Sequence, residues 1–228
     1  FGGGLSTTAS SGTLQYVVIT EGGVEINVDD PDPVANGGNE INGLTLYAVN
    51  DTTSINNIHV NENLDDGIEF FGGDVDVRNV WLTCNGDDSV DWDYGYHGTI
   101  QNVFIKQTGH NEENASDHAF ELAGNPNDPT ATPFATGTVY TAYVQFVGSS
   151  IDVPFKLKEG TYGTFDDIKL VGYAGKDCSA VSGSNITSAD FTNITYDCTN
   201  NGGLLPASGG ASVTSYPASF WAAAPACN

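Results

Sequence analysis

An apolar pattern recurs about every 22 residues in this chain, and each copy holds two short segments in which apolar and polar residues alternate. The clearest copies are GLTLYAV (43–49) with INNIHV (55–60), GIEFFGG (67–73) with VRNVWL (77–82), and SVDWDYG (89–95) with IQNVFI (100–105). Alternation with a period of two is typical of strands and argues against a helical repeat. Short strands at this period, separated by Gly, Asn and Asp corners, predict a parallel β-solenoid in which each coil stacks on the previous one.

Looser copies of the pattern predict about six coils between residues 12 and 172. They are GTLQYVVI (12–19), HAFELAG (118–124), AYVQFV (142–147), VPFKLKEG (153–160) and FDDIKL (165–170). Beyond residue 172 the pattern fades into a segment rich in Ser, Thr, Ala and Gly. We therefore expect an all-β fold with a parallel β-helix over 1–172 and an irregular cap over 173–228. No capping helix is evident before the first coil, so we expect either that an upstream segment was removed or that another copy covers this end through end-to-end self-assembly.

Three columns of side chains follow from stacking these coils. The first predicts an asparagine ladder at Asn57, Asn79 and Asn102, with Asp167 in the equivalent place, because stacked Asn side chains can hydrogen-bond at the strand spacing of about 4.8 Å. The alternative is that these are independent turn residues.

The second column is aromatic. His59, Trp81 and Phe104 fall on one outward face of the second strand, where exposed rings would hold a sugar or a partner surface. The alternative is that the C-terminal tail, with Phe220 and Trp221, folds over these rings and buries them.

The third column is acidic. Glu69, Asp91 and Glu121 stand one above another on the outward face of the first strand, about 4.8 Å apart. At the corner before that strand, two pairs also stack: Asp65 with Asp66, and Asp87 with Asp88. Calcium accepts six to eight oxygen ligands in irregular geometry, so these seven carboxylates predict a Ca²⁺ site. The alternative is a solvated acidic surface that confers solubility, and this is what we expect for Asp93.

The corner also permits a catalytic interpretation. An inverting glycosidase needs two carboxylates about 6.5–9.5 Å apart, a separation that neighbouring coils provide. Locally the chain resembles the polygalacturonases, through N63-L-D65, G86-D87-D88 and G109-H110. Leu64 stands where their motif has Thr, their Gly-His-Gly motif is incomplete, and their Arg-Ile-Lys motif is missing. The resemblance implies Asp65, Asp87, Asp88 and His110 as catalytic candidates, with a lyase less favoured.

Net charge limits the partners. The chain has 29 acidic and 6 basic residues, for a formal net charge of −23. A surface of this sign repels nucleic acid and anionic membranes and attracts divalent cations. We find no apolar run of about 18 residues that would span a membrane. We expect neither haem nor a nucleotide cofactor.

Four cysteines, Cys84, Cys178, Cys198 and Cys227, occur without a CxxC pair, which argues against a zinc ribbon. The chain has no methionine, so Phe1 is not a translation start and we expect a processed, exported product. An even cysteine count in such a chain favours two disulfides, which could pair in three ways. We favour Cys178–Cys198, which would close a loop rich in Ser, Asn and Thr and leave Cys84 with Cys227. Free buried thiols are the alternative.

The segments 11–23 and 39–103 resemble a family of secreted bacterial proteins, often lipoproteins, with a pectin-lyase-like right-handed β-helix. The shared motifs are NGLTL, DDGIEFFGG and DDSxDWxxGxxGxIQ. The resemblance implies a right-handed helix and an extracellular or cell-surface location, and it supplies no catalytic residues. We therefore expect a secreted, calcium-binding β-helix protein with a binding or structural role at the cell surface or in the matrix. The alternative is an enzyme that degrades a polysaccharide at the acidic corner.

Overall fold

The structure is a computed structural model, and it describes residues 9–23, 41–108, 118–148, 151–184 and 186–207. Thirteen strands and no helix occur in these residues. The strands are β1 Thr13–Thr20, β2 Leu44–Val49, β3 Ser54–Asn61, β4 Ile68–Gly73, β5 Val77–Thr83, β6 Val90–Asp93, β7 Thr99–Gln107, β8 Phe120–Ala123, β9 Thr138–Phe146, β10 Phe155–Lys158, β11 Tyr162–Val171, β12 Ser179–Ser182 and β13 Ser188–Thr195. None of the described residues forms a helix that is long and apolar enough to cross a membrane.

Two parallel sheets run the length of the molecule. The odd-numbered strands form a seven-stranded sheet in the order β1-β3-β5-β7-β9-β11-β13, and the even-numbered strands form a six-stranded sheet in the order β2-β4-β6-β8-β10-β12. Every pairing between neighbouring strands is parallel. Each turn of the chain therefore contributes one strand to each sheet, which confirms the predicted parallel β-helix.

The core lies between the two sheets and is built from columns of apolar side chains. On the six-stranded sheet, Ile68, Val90, Phe120 and Phe155 stack in register and are essentially inaccessible. The rings of Phe120 and Phe155 lie nearly parallel with their centroids 5.1 Å apart. Burying each such side chain is worth about 1.5–3 kcal/mol, so the columns hold successive coils together.

The asparagine ladder stands where the strands of the seven-stranded sheet bend. Asn57, Asn79 and Asn102 all have a left-handed backbone, with φ of 57°, 56° and 59°. The bend shifts the alternation by one residue, so that Ile55 and Ile58 on either side of Asn57 both point into the core. Asn79 donates its side-chain amide to Asn57 (3.3 Å), and Asn102 donates to Asn79 (2.9 Å). The predicted ladder is thus confirmed for these three residues.

The strands continue past residue 172, where the sequence pattern fades. β12 pairs with β10, and β13 pairs with β11, both in parallel. This coil is hard to see in the sequence because β12 is only four residues long and half-exposed. In β13 the buried Phe191 and Ile194 are three residues apart, across the left-handed Asn193, and they repeat the spacing of Ile55 and Ile58.

A disulfide encloses this last coil. Cys178 and Cys198 are bonded, with their Cα atoms 5.2 Å apart, as predicted. Cys84 is buried at the end of β5. Its predicted partner, Cys227, lies outside the described residues, so the Cys84–Cys227 bond stays a prediction.

Candidate functional site

An acidic column occupies the outer face of the six-stranded sheet. Glu69 of β4 pairs in register with Asp91 of β6, and Asp91 pairs with Glu121 of β8. Thr45 precedes this column and Lys156 follows it. The period of the repeat therefore brings together carboxylates that are more than 20 residues apart in the sequence.

The corner before these strands holds two further pairs of aspartates, Asp65 with Asp66 and Asp87 with Asp88. In each pair one aspartate is more deeply buried than the other. Asp66 and Asp88 are buried, whereas Asp65 and Asp87 are half-exposed. The Asp66 carboxylate accepts a hydrogen bond from the backbone N–H of Asp88 (3.1 Å), and the Asp88 carboxylate accepts one from the backbone N–H of His118 (2.7 Å). The buried member of each pair therefore links one coil to the next.

These acidic residues form three adjoining groups, and within each group the ligand atoms lie within 4.8 Å of one another. The groups are Asp65, Asp66 and Asp87; Asp66, Glu69 and Asp91; and Asp88, His118 and Glu121. All seven carboxylates of the sequence prediction occur in them. His110, the remaining candidate, lies outside the described residues.

Asp91 differs from the other two carboxylates of the second group in its hydrogen bonding. Its Oδ1 atom is buried and has no hydrogen-bond partner. Burial raises its pKa well above the usual range, and the charges of Asp93, Asp88 and Glu69 raise it further. An unpartnered buried acceptor costs about 1–3 kcal/mol, and more for a charged group, so this site needs a proton or a cation.

The pKa values of the other two carboxylates of this group, Asp66 and Glu69, are also raised. Burial, together with the charges of Asp91 and Asp88, raises the pKa of Asp66 well above its usual range. Burial raises the pKa of Glu69 to about 7, although its hydrogen bond from the side-chain amide of Asn42 opposes the shift. Three adjacent carboxylates with raised pKa values favour a bound proton or a bound cation over three uncompensated negative charges.

The third group differs because basic side chains, His118 within it and Lys158 beside it, contact its carboxylates. His118 lies with Nδ1 2.9 Å from Asp88 and Nε2 3.3 Å from Asp152, and Lys158 bonds Glu121. Burial lowers the pKa of His118, but the hydrogen bond and charge of Asp88, with the charges of Glu121 and Asp152, outweigh burial and raise it. Burial raises the pKa of Asp88 to about 6 against the opposing effect of His118. The acidic charge here is therefore partly neutralised within the protein.

A family model described as a pectate-lyase-like β-helix domain matches residues 1–201. The chain belongs to this family. Neither the curated proteins nor the solved structures contain a match. The matched range includes both sheets as far as β13, in agreement with the continuation of this pectate-lyase-like β-helix past residue 172.

Two residues of the acidic face depart from the sequence prediction. Asp93 of this pectate-lyase-like β-helix is half-buried rather than solvated, and its pKa is raised to about 6, chiefly by burial and against the charge of Lys158. The alternation of β6 puts Asp93 on the same outward face as Asp91, as predicted, and only its burial differs from the prediction. Lys158 was missed because it reaches Glu121 diagonally, while Lys156 is the residue in register with Glu121.

The predicted aromatic column is present, but it is not uniformly exposed. The His59 and Trp81 rings are 5.6 Å apart, and those of Trp81 and Phe104 are 6.3 Å apart. His59 and Trp81 are half-buried, whereas Phe104 is only 2% exposed, with its ring stacked on Tyr143 at 5.9 Å. Phe104 is therefore covered on the outer face of its sheet, in register with Trp81 and Tyr143, and is not an exposed aromatic. This agrees with the alternative in which the rings of this column are buried.

Proposed function

We propose that this pectate-lyase-like β-helix binds Ca²⁺ between the carboxylates of Asp66, Glu69 and Asp91. The bound ion would support a secreted scaffold with a binding or structural role at the cell surface or in the extracellular matrix. The observation that carries the proposal is the buried, unpartnered Oδ1 of Asp91, together with the three carboxylates whose ligand atoms lie within 4.8 Å.

The donor set favours calcium over other divalent cations. All the donors are carboxylate oxygens, the ligands of hard cations, and the group contains neither the sulfur nor the imidazole that zinc sites use. Three carboxylates offer up to six oxygens, and the half-exposed Asp65 and Asp87 lie in the adjoining group. Magnesium demands a near-ideal octahedron, whereas calcium tolerates the irregular arrangement of two strands and a corner.

A cation in this position would join neighbouring coils. Asp66 and Glu69 belong to the coil of β4, and Asp91 belongs to the coil of β6. An ion shared between them replaces repulsion across the coil boundary with attraction. The expected role of the ion is therefore to stabilise the stack and to keep the acidic outer face rigid, so that the face can bind a polysaccharide or another surface.

The geometry gives less support to hydrolysis at the acidic corner. Asp88, one of the catalytic candidates, is buried and accepts hydrogen bonds from both the backbone N–H and the ring of His118. A general base must reach substrate or water, and these contacts occupy Asp88 in linking two coils. Asp65 and Asp87 remain half-exposed at the surface of the corner.

Calcium should raise the melting temperature of the protein, and a chelator should lower it. At a calcium concentration one hundred times Kd, binding adds about 2.7 kcal/mol to the free energy of unfolding. For a chain of this size that corresponds to a rise of roughly 5–10 °C in a thermal melt. Asp91→Asn should abolish the rise, since it removes the charge that the proton or cation must balance.

Asp51→Asn is the matched control, because Asp51 is exposed and lies outside the three acidic groups. This variant should keep the full calcium response. A wild-type protein whose melting temperature is the same in millimolar calcium and in chelator would refute the metal site.

A further inference from the structure

The aromatic column on the outer face of the seven-stranded sheet is open at one end and covered in its middle. Five residues on successive strands stand in register along it: Val18, His59, Trp81, Phe104 and Tyr143. Val18 is 66% exposed, His59 and Trp81 are half-buried, and Phe104 is 2% exposed. The column is therefore accessible over β1 and closed over β7.

The neighbours of Phe104 in the sheet do not account for its burial. The rings of Trp81 and Tyr143 lie 6.3 and 5.9 Å from it, on the two adjoining strands. Side chains in register flank one another along a sheet, so they leave the outward side of a ring open. Thr83, which also points outward on β5, is 0% exposed, and Nε1 of Trp81 is buried. A further segment must therefore lie across β5 and β7.

The sequence narrows the choice of this segment. Of the longer stretches outside the described residues, 24–40 and 109–117 are acidic and contain neither phenylalanine, tyrosine nor tryptophan. Residues 1–8 contain one ring and precede β1, where the column is exposed. Residues 208–228 contain no charged side chain and include a phenylalanine, a tyrosine and a tryptophan. Because burying an unpaired charge costs free energy, this uncharged, ring-bearing segment fits the column best.

Cys84 supplies an anchor beside the covered rings. It follows Thr83 directly at the end of β5 and is 1% exposed. The described residues contain no free cysteine, and Cys178 bonds Cys198. Cys227 is therefore the one cysteine of the chain that remains to bond Cys84, and it lies in the same uncharged segment.

The segment is long enough for this path. Twenty residues lead from Ala207, where the described residues end, to Cys227. Fully extended, they would span about 66 Å. The way back from β13 to β5 crosses four strand spacings, which is about 19 Å.

We infer that residues 208–228 form a strap across β5 and β7, held by a disulfide between Cys84 and Cys227, and that the rings of the strap cover Phe104. The middle of the aromatic column is then closed to sugars and to partner proteins. A partner that binds this sheet has access only to the coil of β1.

Peptide mapping without reductant tests the anchor. Trypsin cuts after Arg78, Lys106 and Lys176, and neither lysine nor arginine follows Lys176. Peptides 79–106 and 177–228 of the monomeric protein should therefore be recovered as one linked species that separates on reduction. Recovery of 79–106 unlinked from the unreduced digest would overturn the inference.

Hydroxyl-radical footprinting read by mass spectrometry tests the cover. In wild type the oxidation of Phe104 should be as low as that of the core residue Phe165. Phe220→Ser combined with Trp221→Ser keeps the disulfide, and it should raise the oxidation of Phe104 several-fold while Phe165 stays protected. Tyr47→Ser is the matched control, because it removes an exposed ring from the other sheet and should leave Phe104 protected.

Trp221→Ala alone is a milder change and should give a smaller rise at Phe104, so it keeps the test decisive if the double variant loses its core. Phe104 that stays protected in both variants would overturn the inference. Dilution would then distinguish a second copy, whose protection falls with concentration, from another segment of the same chain. All these measurements are made in chelator, so they do not depend on the proposed calcium site.

Discussion

At the scale of single residues, the acidic site should make stability fall as pH rises. Glu69 has a pKa of about 7 in the folded protein, above its ordinary value of 4.5, so between these values the folded state holds a proton that the unfolded chain releases. Its contribution is complete below pH 4.5 and is lost as pH rises to 7. The full shift would be about 3 kcal/mol, and the partial exposure of Glu69 reduces our expectation to about 1–2 kcal/mol.

The titratable side chains around Glu69 should also make stability fall as pH rises. Asp66 and Asp91 also have raised pKa values, and the raised pKa of His118 means that its contribution too is lost as pH rises. Urea unfolding between pH 4.5 and 7.5 in chelator measures the slope. Glu69→Gln should flatten the slope, and calcium should reduce it because the ion replaces the protons. A wild-type stability that increases with pH in chelator would contradict this account.

At the scale of elements, the asparagine ladder should support the bend of every strand that it crosses. Asn79 adopts φ of 56° and bonds Asn57 on one side and Asn102 on the other. Asn79→Gly keeps the backbone conformation and loses the bonds, which should cost about 1–2 kcal/mol. Asn79→Ala also forces an alanine into the left-handed region, so we expect about 1 kcal/mol more. Denaturant unfolding of the two variants separates the bonds from the backbone strain.

Thr141 occupies the next position along the ladder, and a substitution there should stabilise the protein instead of destabilising it. It has φ of 61°, which a β-branched residue adopts only with strain, and its flanking residues pair with those of Asn102. Thr141→Asn should therefore relieve strain and extend the ladder, adding about 1 kcal/mol to the free energy of unfolding. A variant less stable than wild type would show that the ladder ends at Asn102.

The strands also show which features of the fold and of the acidic site could be predicted from the sequence alone. Period and alternation determine the register, so they correctly stacked Glu69 on Asp91 and Asn57 on Asn79. They do not determine which side chains other parts of the chain cover, and for that reason the sequence left both exposure and burial open for Phe104, which is buried. Nor do they show how far a long side chain reaches across a face, as Lys158 does.

At the scale of the whole molecule, the two ends of the helix differ. At the far end Phe191, Ile194 and Leu205 are buried. At the near end β1 pairs with β3 on one side, and no other described strand pairs with its second edge. Tyr16 and Val18 of β1 are 80% and 66% exposed. Among the described strands, β1 is therefore the edge strand with the most exposed apolar side chains.

We expect the exposed edge of β1 to make the protein self-associate. β1, TLQYVVIT, contains neither a charge nor a proline to block pairing with another strand. The net charge of −23 opposes association, so added salt or calcium should promote it. Sedimentation velocity at low and high salt should show a shift from monomer to dimer. Val18→Lys should keep the protein monomeric, because a charge on an edge strand prevents pairing.

Tyr140→Lys is the matched control for this experiment. Tyr140 is also exposed, at 41%, but it lies in β9, which has a strand on both sides. The control should associate as wild type does, since its strand has no open edge. Equal loss of association in both variants would mean that surface charge, and not the edge of β1, controls assembly. A wild type that stays monomeric at every salt concentration would mean that the end of the helix is protected despite its exposure.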